Sequence, residues 1–492
     1  MTGFLIIMSF ALLEAVIIII CRRRSARSRS SASVDQFIYA GYRVPATVLT
    51  PGVFNCWLWT TTIIGAAEAG TSYGISGLWS YALGAGIAFL LMTITLLFLR
   101  KYYPVSVFLP DMIRNRFSRK TASFFAALSV LITVYIVIEM AAGIGFAFSS
   151  LFGISYKQIA FLSVIVSACF IIIAGIHANL LNDVVQFFVI LVSLIILVLC
   201  ITQKFSFADL YQGMLLVKND PHNINYNPDI LTIALPAGGR YFVSALIAGF
   251  SQTVLDPVYY LKSRIARDQK TFIRSFILGG VVMFIPCAVI STILFGYTAL
   301  YLNLDISHAN SSMVLSGEML TRYFSPFLQS VMGVFMMAVG TTTIISSLMG
   351  CMALASTEIY DEVVPMNPDA EPSAYAVRDQ KAITFARVFT SLISLICAMT
   401  AISLENVSLL QIDTFCGILF AAAASTVFMS MLSNKELHHL PILAIIAGSA
   451  LGLIVWIKTS TSDTAWTLAT LASFLFPMLM LGTAGLFARK KY

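Results

Sequence analysis

Between Pro51 and Ser80 the chain reads PGVFNCWLWTTTIIGAAEAGTSYGISGLWS, apolar and long enough to cross a bilayer. Yet Thr60, Thr61, Thr62, Gly65, Glu68 and Gly70 stand where a simple anchor would carry leucine. The threonines offer oxygens, and Glu68 puts a titratable acid at bilayer depth. Such a stretch is tolerated only where backbone and side chains line a cavity, so it reads as the broken first helix of a transporter core. A second acid, Glu139, lies inside a later apolar run. Glu68 and Glu139 each admit two readings: a site for a cationic solute or a coupling proton, or a neutral, structurally bonded side chain.

These residues need helices to position them, and composition says where those helices lie. Of the 492 residues, 59% are hydrophobic and 11% charged, and the mean hydropathy is +0.88. A soluble protein could not bury that much apolar surface, so the fold class is an all-α polytopic membrane protein. Cys21, Cys56, Cys169, Cys200, Cys287, Cys351, Cys397 and Cys416 are scattered, without CxxC spacing or a partnered His, and read as small core residues.

The first apolar run, Phe4 to Cys21, contains Glu14, lacks a basic start and ends in Arg22, Arg23 and Arg24, with Arg27 and Arg29 close behind. It reads as a retained helix with its N-terminus outside, not a cleaved signal. Further spans are expected near 46–73, 79–99, 121–149, 155–176, 180–203, 239–261, 275–302, 323–355, 383–403, 407–433, 441–457 and 464–488, thirteen in all. The distribution of basic residues supports that count. All but Lys157, Lys204, Lys218, Arg240, Arg322 and Lys458 of the 30 Lys and Arg, including the terminal Arg489, Lys490 and Lys491, then fall in cytoplasmic loops. The net charge of +7 is therefore mostly topology, with no nucleic acid expected as partner.

Five spans from 46 and five from 239 run in opposite senses, an inverted repeat by parity. The second opener, RYFVSALIAGFSQTVLDPVYYLK, is also interrupted, at Gly249, Ser251, Gln252, Asp256 and Pro257. Matched breaks in two inverted halves point to a midplane solute site in a secondary transporter. The expected organisation is 1–45 (extra helix and basic loop), 46–204 (first repeat), 205–238 (extracellular loop), 239–434 (second repeat) and 435–492 (two further helices).

Several motifs in order carry a resemblance. They are Trp57-Leu58-Trp59, Tyr73-Gly74-Ile75-Ser76-Gly77, Asp183-Val184-Val185-Gln186, Asp256 with Tyr259, Tyr260 and Lys262, Thr341-Thr342-Thr343, and Glu358-Ile359-Tyr360. Over roughly 41–361 the chain resembles the sodium:solute symporter family, and within it the urea and polyamine branch. The resemblance implies a five-plus-five, LeuT-type core and sodium-coupled symport of a small polar, urea-like solute by alternating access. It implies sodium as coupling ion, with a proton the alternative, and no other cofactor. Side-chain oxygens of Thr342 and Thr343 and the carbonyls of Val339, Trp57 and Thr60 would hold the ion, the alternative being threonines that bond back to their own helix. Asp183 would lie on the ion's exit route or be an interfacial residue solvated by water. Trp59, Gly65, Glu68, Gln252, Asp256 and Tyr259 would line the solute cavity, although Asp256 could instead cap the break before Pro257. The branch carries neutral residues at Glu68 and Glu139 and a polar one at Gly65, which keeps a cationic amine as the alternative solute.

A plasma-membrane location with the C-terminus in the cytoplasm is expected, the partners being solute, ion and lipid bilayer. Two sequons, Asn310-Ser311-Ser312 and Asn406-Val407-Ser408, fall on the assigned outside, and His177 falls in a short cytoplasmic connection. A passive channel would need no ion site. A transporter-like sensor would need an output module, for which the stretch after Ala488 is too short, and no nucleophile–base pair or metal cluster suggests an enzyme.

Overall fold

The computed structural model of the protein describes residues 1–28, 33–104, 107–307, 311–365, 372–432, 437–460, 462 and 464–487. Arg29, Asn310 of the first sequon and the basic C-terminus lie outside the described residues. The principal helices are α1 (Thr2–Ser28), α2 (Ala46–Trp57), α3 (Thr60–Tyr102), α4 (Arg119–Phe152), α5 (Tyr156–Lys204), α6 (Phe207–Asn219), α7 (Pro236–Leu255) and α8 (Pro257–Ile265). They continue as α9 (Gln269–Tyr301), α10 (residues 311–323), α11 (Pro326–Leu354), α12 (Pro372–Ala401), α13 (Leu409–Leu432), α14 (Leu440–Thr459) and α15 (Ala465–Phe487).

Ten described helices are long and apolar enough to cross a membrane. At 43 and 49 residues, α3 and α5 are about twice the length one crossing requires, and each is divided by a glycine. Gly74 (φ 60°, ψ −138°) and Gly175 (φ 66°, ψ −162°) adopt backbone conformations reserved for a residue without a Cβ. A Cβ on Gly74 would fall 1.8 Å from the Ile230 carbonyl oxygen. Counting these divisions and the two interrupted passages, α2 with the start of α3 and α7 with α8, the described residues make thirteen passages, as expected. The connection placed at His177 is instead a continuation of helix just past Gly175, with His177 exposed.

The first break is sharper than the composition suggested, and earlier. It falls on Leu58 (ψ 90°) and Trp59 (ψ 165°), while the threonine triplet and Gly65 are already helical in α3. The second break is Asp256 (φ −72°, ψ 118°), immediately before Pro257, whose ring has no N–H to continue α7. Around these breaks α3 packs along α7, and α11 packs against α5 and α4. α13 leans on α7 and on α15, which pairs with α14.

The long connection after α5 is ordered by a small core of its own, in which Leu210, Met214 and Val217 of α6 meet Ile230, Tyr297 and Leu300. It is pinned to α3 by Ile75 N–H to the Ile230 carbonyl (3.0 Å) and Trp79 Nε1–H to the Ile233 carbonyl (2.8 Å).

Candidate functional site

The two helix breaks lie side by side, and three groups of polar residues surround them. The first group is between α2, α5, α8 and α11. Lys262 Nζ donates to Asp183 Oδ2, and both side chains are wholly buried. Asp183 Oδ1 accepts from Thr342 Oγ1 (3.3 Å) and Ser346 Oγ (3.2 Å). Asn55 Nδ2, from α2, donates to the Asp183 carbonyl (2.7 Å) and to Thr342 Oγ1 (3.3 Å). One residue on, Thr343 Oγ1 donates to the Asn55 carbonyl (2.9 Å), with the Val339 carbonyl a second acceptor at 3.0 Å. Asn55 Oδ1 is buried without a partner among the described residues, an oxygen open to a cation or water.

The structure thus brings Asp183, Val339, Thr342 and Thr343 together. The α2 carbonyl in contact with Thr343 is that of Asn55. Thr60 turns toward α4, with its N and Oγ1 3.5 and 3.7 Å from Met140 Sδ. Asp183 is not the solvated interfacial residue that was its alternative, because burial and the Lys262 ion pair remove it from water.

The second group lines a small cavity at the first break. Trp57, Trp59, Thr62, Tyr81, Gln252 and Asp413 are on its wall, with Phe284 behind Trp57 at a ring separation of 5.3 Å. Its volume is about 20 Å³, room for little more than one water. Gln252 Nε2 donates to Asp413 Oδ1 at 2.5 Å, and the buried Trp57 Nε1–H has no partner among the described residues. Trp59 Nε1–H and Tyr259 O–H both donate to the Cys56 carbonyl (2.6 and 2.9 Å), which fixes the aromatic wall to the end of α2.

Of the expected cavity residues, Trp59 and Gln252 line this space, while Gly65, Glu68, Asp256 and Tyr259 lie outside its wall. Tyr259 acts through the Cys56 carbonyl. Asp256 caps α8, its Oδ1 accepting from Val258 N–H at 3.0 Å. Gly65 packs within α3 against Thr61. Glu139 sits behind the wall on α4 and accepts from Thr61 Oγ1.

The third group belongs to Glu68. Its Oε1 accepts from Ser311 Oγ (2.9 Å) and Ser312 Oγ (2.5 Å), and its Oε2 from Leu410 N–H (2.9 Å). Glu68 therefore ties α3 to the start of α10 and the start of α13.

Asp413 and Lys262 were the residues that sequence reading passed over as site residues. The signal was present in both cases, since an ionisable side chain inside a spanning segment is functional by default.

The model of the sodium:solute symporter family matches residues 37–439. The chain belongs to the sodium:solute symporter family. Among curated proteins, it is 20% identical over 476 residues to the urea-proton symporter DUR3 of Oryza sativa, covering 92% of this chain and 64% of that one. It is 25% identical over 255 residues to a probable urea active transporter 1 of Schizosaccharomyces pombe, covering 51% and 38%. It is 20% identical over 456 residues to the urea active transporter of Saccharomyces cerevisiae, covering 87% and 59%. The chain thus spans less than two thirds of each of these relatives. Among solved structures, a substrate-bound, outward-open Na+-coupled sialic acid symporter matches with a TM-score of 0.73 at 12% identity, over 100% of this chain and 99% of that one. Mhp1, a nucleobase-cation-symport-1 family transporter, matches with a TM-score of 0.53 at 12% identity, covering 93% and 96%. These likenesses establish the five-plus-five transporter fold and a family of transporters, not enzymes.

Proposed function

We propose that this symporter-family chain moves a small polar nitrogenous solute of the urea type by alternating access, drawing on an inward cation gradient. The observation that carries this is the small polar-walled cavity at the first break. It has a buried Trp57 N–H that lacks an acceptor among the described residues, and a Gln252–Asp413 pair and the Thr62 hydroxyl on the same wall. A carbonyl flanked by amino groups answers all of these at once, by accepting from the indole and donating to the carboxylate and hydroxyl. At about 20 Å³ the cavity is smaller than urea itself, so any solute enters only when the helices part. The names of the curated relatives support the same class.

Two cations fit two sets of side chains. Sodium would use the Thr342 and Thr343 hydroxyls, the Val339 carbonyl and first-helix carbonyls, leaving by way of Asp183. A proton is the second reading, favoured by Lys262 standing on Asp183. For either, a tenfold gradient is worth about 1.4 kcal/mol and 100 mV about 2.3 kcal/mol per charge, so one ion concentrates a neutral solute roughly several hundredfold. A cationic amine is the second solute reading. Asp413 and Glu139 support it, since neither carboxylate has an ion-pair partner among the described residues.

The arrangement carries with it repeats at 46–204 and 239–434, a plasma-membrane setting, and the basic loops on the cytoplasmic side. The test is uptake of labelled urea and labelled putrescine into proteoliposomes under separate inward sodium and proton gradients. Urea accumulation supports the reading, putrescine accumulation moves the solute to the cationic class, and equilibration without accumulation means a channel.

A further inference from the structure

We propose that Glu139 and Asp413 form a cation site of their own, apart from the Thr342–Thr343 set, which takes one bare monovalent ion of sodium's size behind the solute. This rests on the symport reading and adds a place for a driving ion.

The first argument is the balance of charge. The group between α2, α5, α8 and α11 is already neutral, because Lys262 stands on Asp183. The group at the first break is not. Among the described residues Asp413 accepts from the uncharged Gln252 amide and Glu139 from the Thr61 hydroxyl, and no Lys, Arg or His pairs with either. The two carboxylates stand close enough for their charges to repel, and Glu68 is within reach of Asp413 as well. Charges buried in a membrane are expensive unless paired, so this group calls for a cation. One monovalent ion leaves a single negative charge, which the Gln252 amide and the N–H donors of a urea-like solute would screen at Asp413.

The second argument is the supply of ligands. Glu139 is wholly buried, and its Oε2 has no partner among the described residues. The Tyr135 hydroxyl, one turn earlier on α4, lies beside Glu139 and likewise has no partner at hydrogen-bond distance among them. Two oxygens, the donors that a hard cation takes, are thus open on α4. Tyr81 and Tyr135 are each within reach of the charge of both acids, and Tyr81 and Asp413 are also on the cavity wall. The cavity, about 20 Å³, admits one bare ion or one water and excludes a hydrated ion. Magnesium sheds its water reluctantly and calcium takes about six to eight oxygens, so a monovalent ion fits better than a divalent one.

The third argument is position. Thr61 is on α3, Glu139 on α4, Gln252 on α7 and Asp413 on α13, so the group spans four helices around the first break. An ion that draws Glu139 and Asp413 together closes α4 and α13 over that break, where the solute also bonds. Without it, repulsion between the carboxylates favours the parted form. Ion and solute then prefer the same arrangement, which is what coupling requires.

The test is equilibrium binding of radiolabelled sodium to the full chain in detergent, with and without urea. The combined Thr342→Ala and Thr343→Ala variant is expected to keep a sodium site that urea tightens. Adding Glu139→Gln should raise its half-saturating sodium concentration about tenfold or more, and Glu139→Asp in its place should restore part of the loss. Binding that Glu139→Gln leaves unchanged overturns the proposal and makes Glu139 a neutral, structurally bonded acid. Displacement of the sodium by putrescine overturns it too, since the pair would then serve a cationic solute. If the Glu139 variants do not fold, Asp413→Asn in the same background gives the same readout, and a wild type that binds no sodium overturns the proposal outright. If sodium binds as expected while urea neither tightens it nor accumulates in proteoliposomes, the solute reading fails and the cation site stands.

Discussion

Glu68 and Leu410, 342 positions apart, are joined by a single hydrogen bond of 2.9 Å from the Leu410 N–H to Glu68 Oε2. With Ser311 and Ser312 on its other oxygen, the Glu68 carboxylate holds the starts of α10 and α13 against the second half of the broken helix. Leu409 N–H donates to Ser312 Oγ (3.0 Å) and closes the ring of contacts. Carboxylates favour such places because unpaired N–H groups at a helix start carry partial positive charge. Glu68, expected either on the cavity wall or as a structurally bonded acid, thus bonds three elements together.

Replacing Glu68 by Ala should loosen this clasp. Hydrogen bonds to charged groups contribute roughly 1.5–3 kcal/mol each, so Glu68→Ala should shift the population toward the parted state. Single cysteines placed at Ser311 or Leu410 should then react faster with a polar thiol reagent than in the Glu68-containing parent. Equal reactivity would remove the clasp role.

Asp413→Asn keeps the shape of the cavity wall but removes its carboxylate. For a urea-like solute the apparent KM should rise about tenfold, the equivalent of one charge-assisted hydrogen bond. For a cationic amine uptake should be lost altogether. Side-by-side uptake of the two labelled solutes by this variant separates the two.

Thr342 and Thr343 each bond across the junction of α2, α5 and α11, to Asp183 Oδ1 and to the Asn55 carbonyl. Removing both hydroxyls, with Thr342→Ala and Thr343→Ala combined, should abolish accumulation against a gradient. An undiminished passive flux with no accumulation in the parent would mark a channel.

Two glycines with positive φ should respond unequally to alanine. Gly74 (φ 60°) has the Ile230 carbonyl oxygen 1.8 Å from where its Cβ would be, so Gly74→Ala should prevent native folding or cost well over about 3 kcal/mol. Gly153 (φ 63°) ends α4 with nothing within 4 Å of that place, and Gly153→Ala should cost only about 1 kcal/mol. Thermal unfolding of both variants in detergent checks the contrast.

The number of passages, their division by Gly74 and the two polar interruptions were legible in the sequence. A bilayer sets the length of an apolar run, and backbone groups freed inside it must be satisfied, so a membrane helix declares itself and its breaks locally. Asp183, Val339, Thr342 and Thr343, singled out through the family resemblance, lie together in the structure. The exact place of the first break was not legible. Trp59 leaves the helix because its indole N–H reaches back to the Cys56 carbonyl, where Tyr259 from α8 also binds, and no local pattern encodes a contact across 203 positions.

Pairing among the buried charges was likewise settled only by tertiary structure. The sequence by itself says that Glu68, Glu139, Asp183, Asp256, Lys262 and Asp413 are costly inside a membrane, and so that each must have a partner or a task. It does not say which, because the energy of a buried charge depends on what lies within a few ångströms in space. Folding assigned Lys262 to Asp183, Gln252 to Asp413, Val258 to Asp256, and Ser311, Ser312 and Leu410 to Glu68. Composition and periodicity therefore determined a transporter-like bundle with an interrupted core. Long-range packing decided which of its acids faces the cavity at the first break, which pairs with Lys262, and which fastens one helix to another.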